Sequence, residues 1–257
     1  MNIIGIIPAR MASTRFPGKP MASILGIPMI GHVYYRCKMC MLLNDVWVAT
    51  CDKEVLDYIE SIGGKAVMTA DTHERASDRC AEAMLKIEKQ SGIRVDLLAM
   101  IQGDEPMVYP DMIGEALQPM IEDDKILITN LLGEITSPEE FDDPNQVKVV
   151  VDKFGNALYF SREPIPSRKK YSGKVPMFKQ VPIIPFRRDF LIEYNRMEQT
   201  PLEIIESVDM MRIVENGLKI RMIKTRFSTH AVDTLEDLRH VEELMANDRL
   251  LKSYERA

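Results

Sequence analysis

The N-terminal stretch Asn2–Pro20, NIIGIIPARMASTRFPGKP, is an apolar run that changes abruptly into a basic loop. Its first part, Asn2–Pro8, has the length and the β-branched content of a buried strand. The polar loop that follows, Ala9–Pro20, precedes a helix predicted from about Pro28 to Leu43. An apolar strand, a polar loop and then a helix are typical of the start of an α/β domain.

The same alternation continues through the first half of the chain. Further strands are predicted at Asp45–Thr50, Lys65–Met68, Leu97–Gln102 and Ile126–Leu132. Further helices are predicted at Glu54–Ile62, Ser77–Gln90 and Pro110–Ile121. This order predicts an α/β fold with a mostly parallel sheet and helices on both faces. Because ligands bind beyond the carboxyl ends of such strands, we expect Ala9–Pro20 and Gly103–Pro106 at the binding edge.

From about residue 147 the pattern changes to shorter elements. Strands are predicted at Val147–Val151, Ala157–Phe160, Gln180–Phe186 and Leu218–Lys224, with a basic, proline-rich loop at Pro164–Lys179. Helices are predicted at Pro201–Glu215 and Leu235–Met245. We therefore expect a single domain, 1–257, in three parts: a core at 1–146, a smaller β-rich and helical region at about 147–224, and a return to the core at 225–257.

Composition and charge argue against several classes of function. The 257-residue chain has a formal net charge of −6, which gives nucleic-acid binding no electrostatic support. The N-terminus lacks the features of a secretory signal, and no apolar run is long enough to span a membrane. We expect a cytoplasmic protein that binds neither nucleic acid nor membrane. Cys37 and Cys40 form a lone C-x-x-C, which we interpret as reduced helix cysteines.

The basic loop has the groups that a polyphosphate requires. It contains three cations and two hydroxyls: Arg10, Ser13, Thr14, Arg15 and Lys19. A triphosphate carries about four negative charges, and fixed cations and backbone N–H groups hold such anions. The spacing matches neither a P-loop nor a dinucleotide-binding glycine motif. A solvated basic loop is the alternative interpretation.

Two acidic segments are candidates for a metal site. Asp104 follows an apolar strand in Gln102–Pro106, QGDEP, and a carboxylate at a strand end suits Mg²⁺, which prefers oxygen ligands. A second carboxylate is expected from elsewhere, and the candidate is Asp233 in His230–Asp237. Asp233 or Thr234 is equally suited to cap the helix that follows, and the two roles are compatible.

A third candidate segment is His73–Arg79, HERASDR. Ser77 and Asp78 are typical of a helix start. A cation such as Arg79 in the first turn is disfavoured by the helix dipole, which suggests that it binds a ligand.

These segments together resemble the 3-deoxy-manno-octulosonate (Kdo) cytidylyltransferase family, the CMP-Kdo synthetases. The resemblance extends over most of the chain. It rests on PAR-x-x-S-T-R-x-P-G-K-P from Pro8, on QGDEP from Gln102 and on VDT-x-EDL from Val232, with FDDPNQVKVV and ALYFSREPIP between them. It implies a Rossmann-like core with a smaller dimerisation region, a homodimer, and Mg²⁺-dependent transfer of CMP from CTP to a small anionic sugar acid with release of pyrophosphate.

The resemblance also implies roles for individual residues. The catalytic residues would be Arg10, Lys19, Asp104 and Asp233, of which Asp104 and Asp233 would bind Mg²⁺. The nucleotide-binding residues would be Ala9, Arg10, Ser13, Lys19, Ser77, Arg79 and Gln102. The acceptor-binding residues would be Arg162, Gln180, Phe186 and Asp209.

The chain departs from the family pattern mainly on the acceptor side. Arg75 and Ala76 replace Ser and Gly, and Gln180–Arg187, QVPIIPFR, replaces H-x-G-I-Y-x-Y-R. Asp209-Met210 replaces a Glu-Gln pair. Since a site that loses hydrogen-bonding groups discriminates against a polyol, we hypothesise an acceptor other than Kdo, such as an amino- or deoxy-sugar acid.

Two alternatives remain open. One is a nucleotidyltransferase for a phosphorylated sugar or polyol, which the extra cation Arg75 favours. The other is a catalytically idle nucleotide-binding regulator, against which the retained pair Asp104 and Asp233 argues.

Overall fold

The structure is a computed structural model that describes residues 1–13 and 15–254; Thr14 of the basic loop lies outside the described residues. The chain forms two compact units. The first consists of Met1–Gly114 and Thr229–Ala257, and the second of Glu115–Ser228. Within the described residues, no helix is both long and apolar enough to cross a membrane.

The strands are β1 Ile3–Ala9, β2 Ser23–Ile24, β3 Ile27–Pro28, β4 Asp45–Thr50, β5 Ala66–Met68, β6 Leu97–Ile101, β7 Thr129–Glu134, β8 Lys148–Val151, β9 Ala157–Ser161, β10 Phe178–Val181, β11 Ile183–Arg187 and β12 Arg221–Lys224. The helices are α1 Met29–Lys38, α2 Lys53–Ser61, α3 Ala76–Ser91, α4 Pro110–Glu122, α5 Pro138–Asp142, α6 Arg188–Arg196, α7 Pro201–Glu206, α8 Met211–Glu215 and α9 Leu235–Met245. Two 3₁₀ turns lie at Lys19–Met21 and Leu251–Ser253.

The first unit contains a parallel sheet in which four strands lie in the order β6-β1-β4-β5. Every residue of β1 and β6 is buried, which explains why these strands are continuous apolar runs rather than alternating ones. The helices α1, α2 and α3 pack against this sheet. The predicted α/β fold with a parallel sheet is confirmed.

The strand order also locates the binding edge. The chain moves outward from β1 to β4 and β5, with α1 and α2 as crossovers, and then returns through α3 to β6 on the other side of β1. Because such crossovers are right-handed, α3 lies on the opposite face from α1 and α2. The order reverses between β1 and β6, and ligands bind beyond the carboxyl ends of strands at such a point.

The second unit contains a mixed sheet in the order β12-β7-β10-β8-β9. The strands β12 and β7 are parallel, and the other neighbouring pairs are antiparallel. Since β7 pairs with both β10 and β12, it belongs to this unit. The division that the sequence suggested after residue 146 therefore falls inside the second unit.

Several predicted elements differ from those observed. The prediction of one helix over Pro201–Glu215 is wrong, because α7 ends at Glu206 and is followed by Ser207, whose φ of 51° is left-handed. The prediction of one strand over Gln180–Phe186 is also wrong: β10 and β11 are separated at Pro182, which has no N–H to donate to a ladder. The helix α1 ends at Lys38, so Cys40 lies beyond it; Cys37 and Cys40 are both buried and free.

Candidate functional site

A pocket of about 340 Å³ lies in the first unit, beyond the carboxyl ends of β1 and β6. Its walls come from the basic loop, from the loops after β6 and before α3, and from the segment before α9. It brings together eight of the residues proposed from the sequence: Ala9, Arg10, Ser13, Lys19, Arg79, Gln102, Asp104 and Asp233.

The two candidate metal ligands meet in this pocket although they are far apart in the chain. The ammonium of Lys19 donates to Asp104 Oδ2 at 2.7 Å and to Asp233 Oδ1 at 3.1 Å. A backbone hydrogen bond of 2.9 Å from Val232 N–H to Asp104 O holds the two segments together. The carboxylates therefore converge on one cation.

The charge of Lys19 depends on this pair of carboxylates. Burial disfavours the charged ammonium and acts to lower its pKa. The charges and hydrogen bonds of Asp104, and then of Asp233, outweigh that effect, so the Lys19 pKa is raised above its usual 10.5. Lys19 is consequently a fixed positive charge at neutral pH. Arg15 adds a second cation, with its Nη2 3.0 Å from Asp233 Oδ1.

The structure shows which residue caps α9. Thr234 caps α9, since its hydroxyl accepts from Asp237 N–H, while the Asp237 carboxylate accepts from Thr234 N–H at 2.8 Å. Asp233 therefore need not cap the helix through its carboxylate, which faces Lys19 instead.

The basic loop is folded back by its own backbone. Gly18 has a φ of 76°, a left-handed conformation that glycine adopts without steric cost, and its N–H donates to Met11 O at 3.0 Å. Met11 N–H in turn donates to Asp52 Oδ2 at 2.8 Å, which anchors the loop beside β4. Lys19 follows Gly18 directly and starts a 3₁₀ turn. The sharp turn thus directs Lys19 towards the carboxylates.

Gly103 allows the loop after β6 to approach the end of β1. A Cβ at this position would lie 2.9 Å from the backbone oxygen of Pro8 and 3.3 Å from Ile30 Cδ1. We expect Gly103→Ala to lower the free energy of unfolding by about 1–3 kcal/mol, as other overpacked sites do. Urea unfolding followed by circular dichroism measures the change.

Gly114→Ala is the matched control. It lies in α4, where an added Cβ meets only Leu42 Cδ1 at 3.8 Å, an ordinary contact. Alanine is favoured over glycine inside helices by about 0.5–1 kcal/mol, so this variant is expected to be neutral or more stable. Equal stability of the two variants would contradict the close approach at Gly103.

Part of the pocket lining comes from the segment that enters α3. Arg79 is 3% exposed, and its Nη1 donates to Thr69 Oγ1 and, at 3.3 Å, to Ala70 O. Its other terminal nitrogen, Nη2, is buried and has no hydrogen-bond partner in the described part of the chain. The Cys51 thiol lies near this guanidinium, but a thiol is only a weak acceptor. A ligand acceptor would satisfy Nη2.

Glu82 fixes the loop that carries this wall. It accepts from Ala70 N–H at 2.9 Å and pairs with His73 and with Lys86. Burial acts to raise the pKa of Glu82, but the hydrogen bonds from Lys86, Ala70 and His73 outweigh it and lower the pKa to about 2. Glu82 is therefore ionised at neutral pH and holds the loop in place.

The structure does not bring every proposed residue to this pocket. Ser77 is fully buried in α3 and is not among the described residues that line the pocket. Conversely, Arg15, His73 and Arg75 line it, although none of them was among the site residues that the family resemblance assigned. Their closeness in sequence to Ser13 and Arg79 is the signal that could have identified them.

The four residues proposed for the acceptor lie in the second unit: Arg162, Gln180, Phe186 and Asp209. The Arg162 guanidinium donates to three backbone oxygens, those of Pro144, Glu206 and Ser207. Gln180 Nε2 donates to Asn130 Oδ1 at 2.6 Å. Phe186 is fully buried and stacks on Phe190 and Tyr194. Their role towards an acceptor remains a prediction.

The donor set of the pocket fits a hard divalent cation. Carboxylate oxygens from Asp104 and Asp233 are the ligand type that Mg²⁺ prefers, and the Lys19 ammonium lies between them. The described residues contain no group of three or more His, Cys, Asp and Glu side chains that could hold a metal. A cation here would complete its shell with water and phosphate oxygens, as Mg²⁺ does at phosphate sites.

Comparisons with known proteins show the family of the chain. The profile of the cytidylyltransferase family matches residues 4–220. The 3-deoxy-manno-octulosonate cytidylyltransferase of Geobacter metallireducens is 43% identical over 256 residues, covering 96% of this chain and 98% of the relative. The protein of the same name from Trichlorobacter lovleyi is 41% identical over 255 residues, covering 95% and 99%.

A solved structure of CMP:2-keto-3-deoxy-manno-octonic acid synthetase complexed with CTP is similar over 96% of this chain and 99% of that one, with a TM-score of 0.88 and 38% identity. A thymidylyltransferase structure from Bacillus anthracis, at 15% identity and a TM-score of 0.66, shares the fold alone. From the family profile and these relatives, we conclude that the chain belongs to the cytidylyltransferase family and is a nucleotidyltransferase enzyme.

Proposed function

We propose that this enzyme uses Mg²⁺ to transfer CMP from CTP to a 2-keto-3-deoxy sugar acid of the manno-octulosonate (Kdo) class, with release of pyrophosphate. The observation that carries the proposal is the convergence of Asp104 and Asp233 on one cation beside the basic loop. The names of the relatives supply the acceptor class and CTP.

The basic loop would bind the triphosphate. Arg10 is exposed, lines the pocket and makes no ion pair with the described residues, so its guanidinium is available to phosphate. Lys19 would hold a second phosphate. Ser13 would add a hydroxyl donor, and Ala9 and Gln102 would line the nucleotide.

The chemistry requires positioning and charge stabilisation rather than a covalent enzyme intermediate. The acceptor hydroxyl attacks the α-phosphorus and forms a new P–O bond. The bond between the α-phosphorus and the oxygen that bridges to the β-phosphate breaks, so that pyrophosphate leaves. The hydroxyl proton passes to solvent. Asp104 and Asp233 would hold Mg²⁺, which would neutralise the charge that develops on the phosphates. Arg10 and Lys19 would stabilise the departing pyrophosphate from preorganised positions.

The identity of the acceptor is the most specific part of the proposal. The altered acceptor positions, which include Gln180 and Phe186, leave a modified Kdo or an amino- or deoxy-sugar acid as the second candidate. The side chains of Gln180 and Phe186 make contacts with residues of the second unit, which supports that candidate. A phosphorylated sugar or polyol is a third candidate. An idle regulator is disfavoured, because a site that only binds nucleotide has no need of paired carboxylates.

The test is pyrophosphate release with CTP and a panel of acceptors. We expect kcat/KM for 2-keto-3-deoxy sugar acids to exceed that for sugar phosphates by at least about 100-fold, since buried polar groups reject acceptors that leave them unpaired. Omission of Mg²⁺ is expected to abolish release. A higher rate with an amino- or deoxy-acid than with Kdo would favour the second candidate, and turnover confined to sugar phosphates would contradict the proposal.

A homodimer and a cytoplasmic location are further proposals, and they rest on the family resemblance.

A further inference from the structure

Arg75 presents a hydrogen-bond donor that nothing in the proposed chemistry uses. It is the N-cap residue of α3 and lines the same pocket as Arg79. Its Nη1 is buried and lacks a hydrogen-bond partner in the part of the chain that the structure describes. A buried donor without an acceptor is destabilising, and a bound acceptor atom removes that cost.

The Arg75 guanidinium is fixed rather than mobile. Its Nε donates to Asp78 Oδ2 at 3.0 Å and its Nη2 to Asp78 Oδ1 at 3.1 Å. This two-point contact with the carboxylate sets the plane of the guanidinium and leaves Nη1 as its remaining nitrogen. The unpartnered donor is therefore held in one direction before any ligand arrives.

Arg79 supplies a second donor of the same kind. It lies one helical turn after Arg75, and its buried Nη2 is also without a partner among the described residues. Two arginines from one end of α3 thus line one pocket, and each keeps a buried guanidinium nitrogen without a partner among the described residues. A ligand that carries two adjacent acceptor atoms would satisfy both nitrogens.

The sheet order indicates which part of the nucleotide these donors face. Arg79 is bonded to Thr69 and Ala70, directly after β5, whereas Asp104 follows β6. These strands are separated by β1 and β4, so their ends lie about 14 Å apart at ordinary strand spacing. A nucleotide with its phosphates beside Asp104 and Lys19 therefore reaches Arg75 and Arg79 with its nucleoside.

We propose that Arg75 is a specificity-determining residue that reads the pyrimidine base, with Nη1 donating to one of the adjacent acceptors O2 and N3 of cytosine and Arg79 Nη2 donating to the other. In uracil, N3 carries a hydrogen, so one guanidinium donor would face another donor. The pair therefore selects CTP over UTP by leaving a buried donor unpaired with the wrong base. This inference rests on the proposed function, because it takes CTP as the donor substrate.

The test compares Arg75→Ser with the unmodified enzyme by calorimetric titration in the absence of acceptor. Three ligands are used: CTP, UTP and inorganic tripolyphosphate, which has phosphates but no base. We expect the Kd for CTP to rise about 10- to 100-fold, as for loss of a charged hydrogen bond. The Kd for UTP should rise much less, and binding of tripolyphosphate should not change. The last result also shows that the pocket of the variant remains folded.

Arg196→Ser is the matched control, because it removes one positive charge from an exposed residue of α6 that does not line the pocket. It should leave all three dissociation constants unchanged.

Three outcomes would overturn the proposal: an unchanged Kd for CTP, equal losses for CTP and UTP, or a parallel loss for tripolyphosphate. If the first outcome came with a raised KM for the sugar acid, Arg75 would belong to the acceptor site instead. Failure of the unmodified enzyme to bind CTP would instead refute the proposed function.

Discussion

Asp104→Asn is expected to lower kcat/KM for pyrophosphate release by about 100- to 1000-fold, the scale associated with loss of one preorganised electrostatic contact. The substitution keeps the shape of the side chain but removes half of the negative charge that converges at Lys19. It therefore weakens the proposed Mg²⁺ site and also removes the partner that contributes most to raising the Lys19 pKa. Steady-state rates measured over a range of Mg²⁺ concentrations check both effects.

Asp111→Asn is the matched control, since it removes an exposed carboxylate from the first turn of α4 without touching the pocket. It should retain full activity. Asp233→Asn should resemble Asp104→Asn, and the double variant should be little worse than either one, because residues that hold one ion act as a unit. Activity of Asp104→Asn within tenfold of normal, with an unaltered Mg²⁺ dependence, would show that the carboxylate pair does not hold the metal.

Arg212→Ala is expected to lower the free energy of unfolding by about 3–5 kcal/mol, because it leaves a buried carboxylate without its partner. Arg212 is fully buried and Glu203 is 4% exposed. The guanidinium bonds both oxygens of Glu203, donates to Met197 O at 3.1 Å and lies over the Tyr194 ring. Urea unfolding followed by far-ultraviolet circular dichroism measures the loss in the second unit.

Two controls separate the buried pair from ion pairs in general. The double variant Arg212→Met with Glu203→Leu should recover most of the stability, since apolar residues of similar size replace buried ion pairs well. Lys53→Ala breaks the exposed pair with Asp57 and should have no measurable effect. The single tryptophan, Trp47, lies in the first unit and reports on it separately. A loss below about 1 kcal/mol for Arg212→Ala would place this pair with ordinary surface pairs.

Local patterns in the chain predicted the first unit well. The strand Asp45–Thr50 and the helix Leu235–Met245 were predicted with the bounds that the structure has. The helix is delimited by a capping box between Thr234 and Asp237, a signal contained within a few residues. Parallel strands that are buried on both faces can likewise be recognised in the sequence as apolar runs, because nearly every side chain in them must be apolar.

The second unit was harder to predict from the sequence, because its organisation depends on contacts between segments that are far apart in the chain. The break between α7 and α8 depends on a left-handed backbone at Ser207, a conformation that serine as a residue type does not predict. The strand β7 follows the first unit in the chain but pairs with β10 and β12. Strand pairing of this kind is decided by packing between segments far apart in sequence, which no local periodicity reports.

For the candidate site, the amino-acid order was sufficient to predict the candidate groups: a cationic loop after an apolar strand, and carboxylates at 104 and 233. Folding alone decided how these groups meet, through the switch point beside β1 and the Val232–Asp104 hydrogen bond. It also decided that Ser77 is buried in α3, whereas Arg75 and Arg79 keep unpartnered donors in the pocket. Residue types specify which interactions are possible, but distance and burial, which set their strength, exist only once remote segments have packed together.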